Sequence, residues 1–285
     1  MHLQESSQPA ISSLTNPRVK NVVRLRQRSH RDEAQLMLIE GYREIRRALN
    51  NRYKPQTVFY CEELFLKNLN EFELIEQCRT VGAEIVPCTA PVFQKMAYRE
   101  RPDGLLAVGP QLKSSLFDLN LPEPALVIVV EAIEKPGNLG TILRTADASG
   151  VHAVIVCDRC TDINNPNVVR ASTGMLFALP VIETSDVDAL TFLQSKNFSI
   201  LAATPHTRKL HTETDLTGNV AIVLGTEQYG LSNHWLNAAN LHVRIPMFGQ
   251  ADSLNVAAAA TILLYEAVRQ RLAAGITKIP PPSTD

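Results

Sequence analysis

Residues 125–130, 153–156 and 220–224 are uninterrupted runs of Ala, Val, Ile and Leu. A strand with one face in water alternates apolar and polar side chains, because successive residues point to opposite faces. An unbroken run suits a strand buried on both faces, the situation of a parallel sheet covered by helices. Residues 199–203 and 241–245 add two further strand candidates. An alanine-rich stretch at 253–272 is expected to close the region as a helix that starts at a Ser253 cap.

The N-terminal part repeats the alternation on a smaller scale. Asn16 can cap a helix that has Pro17 at its first position. Strands are expected at 36–39, 57–60, 84–86 and 105–108, and helices at 42–50 and within 64–81. Residues 110–124 hold three prolines and little periodicity, which suits a linker. The expected organisation is a small α/β domain (1–112), a linker (113–124), a parallel-sheet α/β domain (125–275) and a flexible tail (276–285).

Hydrophobic residues make up 45% and charged residues 20% of the 285, enough apolar surface for a packed core without staples. No apolar run reaches the length of a membrane-crossing helix, and residues 1–16 lack a signal-peptide core, so the expected location is cytoplasmic. Five cysteines, an odd number, argue against a secreted disulfide framework. Cys157 and Cys160 have C-x-x-C spacing, but a strand rather than a helix N-terminus leads into them, and no second ligand pair completes a zinc set. No metal is expected.

The net charge of −1 hides an asymmetry. Residues 1–55 carry eleven Lys or Arg against five Asp or Glu, and the remainder is acidic. Arg18, Lys20, Arg24, Arg26, Arg28 and Arg31 fall within fourteen residues that contain no acid. Such a stretch can attract a polyanion through counterion release, or can simply form a solvated helix face.

Chemistry concentrates in three loops at strand C-termini, where parallel sheets bind ligands. The first, 131–144, carries Asn138, Gly140 and Arg144 around a helix start. Taken alone, Asn138 reads as a helix cap and Arg144 as a surface ion-pair partner. The loop lacks both G-x-G-x-x-G and a phosphate-loop lysine, which sets aside a dinucleotide-dependent oxidoreductase. The second, 224–232, places Glu227 between Gly225 and Gly230. The third, 245–256, puts Ser253 and Asn255 at a helix start, one polar residue more than a cap requires.

Together these stretches resemble the motifs of the SpoU (TrmH) family of RNA ribose 2'-O-methyltransferases, of the SPOUT superfamily. N-x-G-x-x-x-R matches Asn138, Gly140 and Arg144; L-G-x-E-x-x-G-L-S matches Leu224, Gly225, Glu227, Gly230, Leu231 and Ser232. I-P-M-x-G-x-x-x-S-L-N-V matches 245–256 at every specified position, and Ala257 departs from the serine common in relatives. Residues 13–17 and Ile39-Glu40-Gly41 resemble the RNA-binding extension that many members carry.

The resemblance implies a parallel-sheet domain with a C-terminal trefoil knot, a homodimer, S-adenosylmethionine as cofactor and RNA as substrate, with ribosomal RNA favoured over transfer RNA. It implies cofactor contacts around Thr204, Leu224, Gly225, Ile245, Met247 and Leu254. It implies a catalytic set of Arg144, Asn138, Glu227, Ser253 and Asn255, in which Glu227 orients Arg144. The basic residues 18–31 would recruit RNA. The third motif is also similar to members that confer resistance to ribosome-directed antibiotics. The alternative is a non-catalytic RNA-binding factor that retains the fold.

Overall fold

A computed structural model describes residues 9–67, 70–158 and 160–281. In chain order, the first elements are α1 (Pro17–Arg24), α2 (Arg28–Ala34), β1 (Leu36–Glu40), α3 (Tyr42–Asn50), β2 (Thr57–Tyr60), α4 (Glu71–Thr80), β3 (Glu84–Pro87), α5 (Ala90–Met96) and β4 (Leu105–Pro110). There follow β5 (Leu126–Glu131), α6 (Pro136–Ala148), β6 (Ala153–Cys157), α7 (Pro166–Ala171), β7 (Val181–Thr184), α8 (Asp186–Ser195) and β8 (Ser199–Ala203). The last are β9 (Val220–Leu224), α9 (Asn233–Ala238), β10 (Leu241–Val243) and α10 (Val256–Ala273). No helix among the described residues is long and apolar enough to cross a membrane.

The chain divides into two compact units. The first comprises the described residues through Leu112 together with Asp162–Ala178; the second comprises Lys113–Thr161 and the residues from Leu179 onward. In the first unit a mixed sheet has the order β1-β4-β2-β3, with β2 and β3 parallel and the other pairs antiparallel. Asn16 caps α1 as expected, its Oδ1 accepting from Arg18 N at 2.9 Å. The helix expected within 64–81 starts late, at Asn70, where Glu71 and Glu73 put negative charge on its first turn.

Segment 162–178 lies in this first unit although it follows β6 in the chain. Asn164 brackets Leu112 through both its side-chain amide groups. Val168 and Val169 are buried, and α7 packs on β1. Phe177 meets Tyr53 with ring centroids 4.9 Å apart.

In the second unit all six strands are parallel, in the order β10-β8-β9-β5-β6-β7. The unbroken apolar runs are its central strands β5, β6 and β9, buried along their whole length. Edge strand β7 was not expected: only Val181 and Ile182 of its four residues are buried, too short a signal to separate from a loop. The expected linker is not free chain. Leu116 is buried and Leu119 and Leu121 pack beside it against the core of this unit. Buried Arg271 anchors α10 by donating to the carbonyls of Leu216, Ala125 and Gly218. The expected helix start at Ser253 moves to Asn255, whose Oδ1 accepts from Ala257 N at 3.0 Å. The tail expected at 276–285 has its last four residues outside the described residues.

Candidate active site

Neighbouring parallel strands β10, β8, β9 and β5 end at one edge, where Val243 is level with Ala203 and Ala202 with Val223. The loops leaving β5, β9 and β10 converge there on one carboxylate. Glu227 Oε1 accepts from Asn138 Nδ2 at 2.6 Å and from Asn255 Nδ2 at 2.6 Å. Its Oε2 accepts from Lys135 Nζ at 2.7 Å. Asn255 Nδ2 also donates to Asn138 Oδ1 at 3.2 Å. One side chain from the second loop therefore ties the first and the third together.

Charge-assisted bonds of this kind favour the ionised acid. The hydrogen bond from Lys135 holds the Glu227 carboxyl below its ordinary range against some desolvation, and Asn138 adds to the effect. The same bond to Glu227 raises the Lys135 ammonium. Glu227 is thus a charged acceptor with both oxygens engaged, a poor general base. Buried Glu131, at the end of β5, accepts from Ser232 N at 2.9 Å and fixes the far end of the second loop. Between them, Thr226 and Gly230 close a turn through paired backbone hydrogen bonds of 3.0 and 3.1 Å. Gly225 lies against the Gly230 backbone, where any Cβ would collide.

The structure joins Asn138, Glu227 and Asn255 of the expected catalytic set, and it adds Lys135, which sequence reasoning missed. Its signal was a lone cation in a turn three residues before Asn138, with no partner visible in sequence. Asn138 is not a helix cap; Lys135 occupies that position of α6, and Asn138 sits in the first turn. Glu227 makes no hydrogen bond to Arg144; its oxygens accept from the two amides and the lysine. Arg144 is exposed on α6, and its side chain makes no hydrogen bond or ion pair with any described residue. Ser253 is exposed in the third loop, away from the capping position that Asn255 fills.

The expected cofactor residues lie along the same edge. Thr204 follows β8, Gly225 follows β9 and Ile245 lies two residues beyond β10. Leu224 and Gly225 are buried, while Thr204, Ile245, Met247 and Leu254 are half-buried. Among the described residues, no backbone group from Ile245 to Leu254 has a hydrogen-bond partner. Of these, Ile245, Pro246, Met247 and Leu254 are half-buried, and their open backbone groups beside apolar side chains suit a polar, partly apolar small molecule.

The basic residues 18–31 separate into different environments. Arg31 is buried, ion-paired with Asp162 at 2.6 Å and bonded to the carbonyls of Leu25 and Arg26, so it is corrected from RNA contact to internal strut. Arg26 is likewise engaged, donating to Lys95 O at 2.7 Å and Ala97 O at 2.5 Å. Arg18 and Arg28 are exposed in ion pairs with Glu84 and Asp32. Lys20 and Arg24 are exposed and unpaired among the described residues.

Residues 125–265 match the SpoU rRNA Methylase family, and residues 16–107 match the MRM3-like substrate binding domain. A 23S rRNA (uridine(2479)-2'-O)-methyltransferase of Streptomyces viridochromogenes is 32% identical over 252 residues, covering 86% of each chain. The chain belongs to the SpoU family. The crystal structure of an RNA 2'-O ribose methyltransferase aligns with a TM-score of 0.80 at 40% identity, over 93% of this chain and all of the other. An AdoMet-bound rRNA methyltransferase from Sinorhizobium meliloti aligns with a TM-score of 0.84 at 30% identity, over 92% and 97% of the two chains.

Proposed function

We propose that this protein methylates a ribose 2'-oxygen of ribosomal RNA with S-adenosylmethionine. The carrying observation is the Glu227 hub, which gathers Lys135, Asn138 and Asn255 from separate loops at the strand edge of a SpoU domain. The unpaired backbone from Ile245 to Leu254, with Thr204, Leu224, Gly225 and Met247, fits the cofactor. S-adenosylmethionine, when bound, supplies a methyl group on a positively charged sulfur.

The chain's own residues position and stabilise. Glu227 fixes the three loops relative to one another, and accurate positioning alone can supply about 7–11 kcal/mol in well-oriented intramolecular reactions. Arg144 is a guanidinium with no carboxylate partner among the described residues. A guanidinium offers only donors and a fixed positive charge, so its role here is to hold the developing 2'-alkoxide or an adjoining phosphate. Ser253 and Asn255 contribute polar groups beside the same loop.

The first unit recruits the RNA, with the domain limits read from the sequence supplemented by 162–178. The segment from β9 through α10 forms the trefoil knot of the family; support comes from β10 lying outside β8 while α10 returns to pack on α6 and β9. The working form is a cytoplasmic homodimer. α10 exposes Ala258, Ile262 and Tyr265 at helical spacing, a strip that a second copy would cover.

The test is transfer from methyl-tritiated S-adenosylmethionine to deproteinised ribosomal RNA, followed by digestion to nucleosides. Label in a 2'-O-methylnucleoside is expected. Label in a base-methylated nucleoside would overturn the reading, and tight RNA binding without transfer would favour a non-catalytic binding factor.

A further inference from the structure

The first unit holds a buried charge network that the methyl-transfer site does not use. Glu40, Glu44 and Asp103 are all buried, and a single guanidinium, Arg99, lies among them. Arg99 Nη2 donates to Glu44 Oε1 at 2.6 Å and to the Glu40 carbonyl at 3.0 Å. The Glu40 carboxylate accepts from the backbone N–H groups of Tyr98 (2.6 Å) and Arg99 (3.3 Å), and Asp103 Oδ2 accepts from Tyr42 N at 2.9 Å. Gly41, at φ +113°, lets this network close: a Cβ there would run into the Glu44 carboxylate and the Arg99 guanidinium.

Burying three carboxylates around one cation is costly. Its structural result is to pin the irregular loop 97–103 to the start of α3. What that loop presents outward is Tyr98, Glu100 and Arg101. Tyr98 is 39% exposed, and its hydroxyl oxygen accepts from Asn167 Nδ2 of α7 at 2.9 Å, which fixes the direction of the ring. Arg43 and Arg46 are exposed one turn apart on α3, and Arg170 is exposed on α7. Arg47 of α3 donates to Thr173 Oγ1 at 2.6 Å, so α3 and the chain after α7 adjoin.

We infer that Tyr98, with the exposed Arg101 of its own loop, Arg170 of α7 and Arg43 and Arg46 of α3, forms the RNA-docking surface of the first unit. Tyr98 stacks on an unpaired base and the arginines take phosphates. This rests on reading the first unit as the RNA-binding part, and it moves the contact from the 18–31 stretch to the loop 97–103. A flat ring whose axis is already held loses less entropy on stacking, and unpaired bases are what proteins read in RNA. The 18–31 stretch offers two cations unpaired among the described residues, Lys20 and Arg24, and its one ring, His30, lies 3.6 Å from the Glu33 carboxylate.

The experiment is filter binding of deproteinised ribosomal RNA to the full chain at several salt concentrations. Unfolding temperature and S-adenosylmethionine affinity of each variant are measured beside it. Tyr98→Ala is expected to weaken RNA binding about tenfold, as for loss of one stacked base, with the salt slope unchanged. Tyr98→Phe keeps the ring and is expected to stay within about threefold of the wild type. The pair Arg101→Glu, Arg170→Glu is expected to weaken binding and lower the salt slope, as phosphate contacts require. The pair Lys20→Glu, Arg24→Glu is expected to change little. Strong loss in that last pair, with Tyr98→Ala and the Arg101, Arg170 pair unaffected, would overturn the location and leave the first unit as the RNA binder. Undiminished binding in every variant would overturn the RNA-binding reading of the first unit itself.

Discussion

In the first unit Glu40, Glu44 and Asp103 crowd around Arg99 in the interior; in the second, Glu227 gathers Lys135, Asn138 and Asn255 at the surface. Both arrangements hold loops in place with carboxylates, yet their electrostatics run in opposite directions. Desolvation raises Glu40 and Glu44 above the ordinary carboxylate range, only partly offset by backbone N–H donors at Glu40 and by Arg99 at both. At Glu227 the hydrogen bond from Lys135 outweighs desolvation and the carboxyl is lowered. The first centre is a clamp built at the expense of stability. The second keeps its full charge, next to where a cationic cofactor and an anionic substrate would meet.

The largest effect should come from removing the cation of the clamp. Arg99→Ala leaves buried carboxylates unpaired and is expected to destabilise the first unit by about 3–5 kcal/mol. Calorimetry should show an earlier unfolding transition while S-adenosylmethionine still binds; a single unshifted transition would mean that the clamp contributes nothing. Glu227→Ala should do the reverse. Its three loops lose their common anchor, and methyl transfer is expected to fall on the order of 10²-fold, as for small misplacements of reacting groups. The unfolding temperature should barely move. A variant that melts early, or that transfers methyl groups normally, would erase the distinction between the two centres.

The pH dependence sharpens the contrast. Glu40 and Glu44 have folded-state values above their unfolded ones, so the folded first unit binds more protons between those values. The stability they contribute should therefore be present in full below the ordinary glutamate value and be lost as pH rises through their raised values. Glu227 has the opposite sign: its contribution is present above the ordinary glutamate value, about 4.3, and is lost only as pH falls through its lowered one. Unfolding temperatures across this range should show the Glu40 and Glu44 contribution in the wild type and lose it in Glu40→Gln, Glu44→Gln. A contribution that survives both substitutions would assign it to other groups. The smallest effect is expected for Lys135→Ala, because an exposed ion pair contributes little. Transfer should stay within about threefold, while the acid limb of the activity profile moves upward as Glu227 loses its strongest partner. An unmoved limb would show that Lys135 does not set the Glu227 charge.

How much of this was legible in the sequence differs between the two regions for physical reasons. In the second unit, strands buried on both faces announce themselves as unbroken apolar runs, and the loops that follow them carry Asn138, Glu227 and Asn255 in recognisable spacing. Strand β7 escaped notice because only Val181 and Ile182 are buried. The start of α10 was misplaced by two residues because Ser253 and Asn255 are both good caps, and only the bond to Ala257 N distinguishes them. In the first unit linear charge misled. Six cations within fourteen residues look like one surface, yet α2 turns Arg31 inward to Asp162 and Arg26 is spent on the carbonyls of Lys95 and Ala97. No local pattern could place 162–178 in the first unit, since that packing joins residues such as Arg31 and Asp162 that are 131 apart in the chain. Nothing local in the sequence marks Arg99 as the cation around which the fold sets three acids.

The most direct measurement of the central claim is a nucleotide-resolution map of 2'-O-methylation in deproteinised ribosomal RNA. The RNA is incubated with S-adenosylmethionine and either the wild type or Arg144→Ala, and cofactor affinity is measured for both proteins. The expected result is a new 2'-O-methylated nucleotide with the wild type only, with Arg144→Ala reduced by about 10²–10³-fold, as for loss of one transition-state donor, and its cofactor affinity retained. A map in which Arg144→Ala modifies the same nucleotide at the wild-type rate would contradict the role given to Arg144. A map with no new site in either sample, despite bound cofactor and bound RNA, would contradict the activity itself.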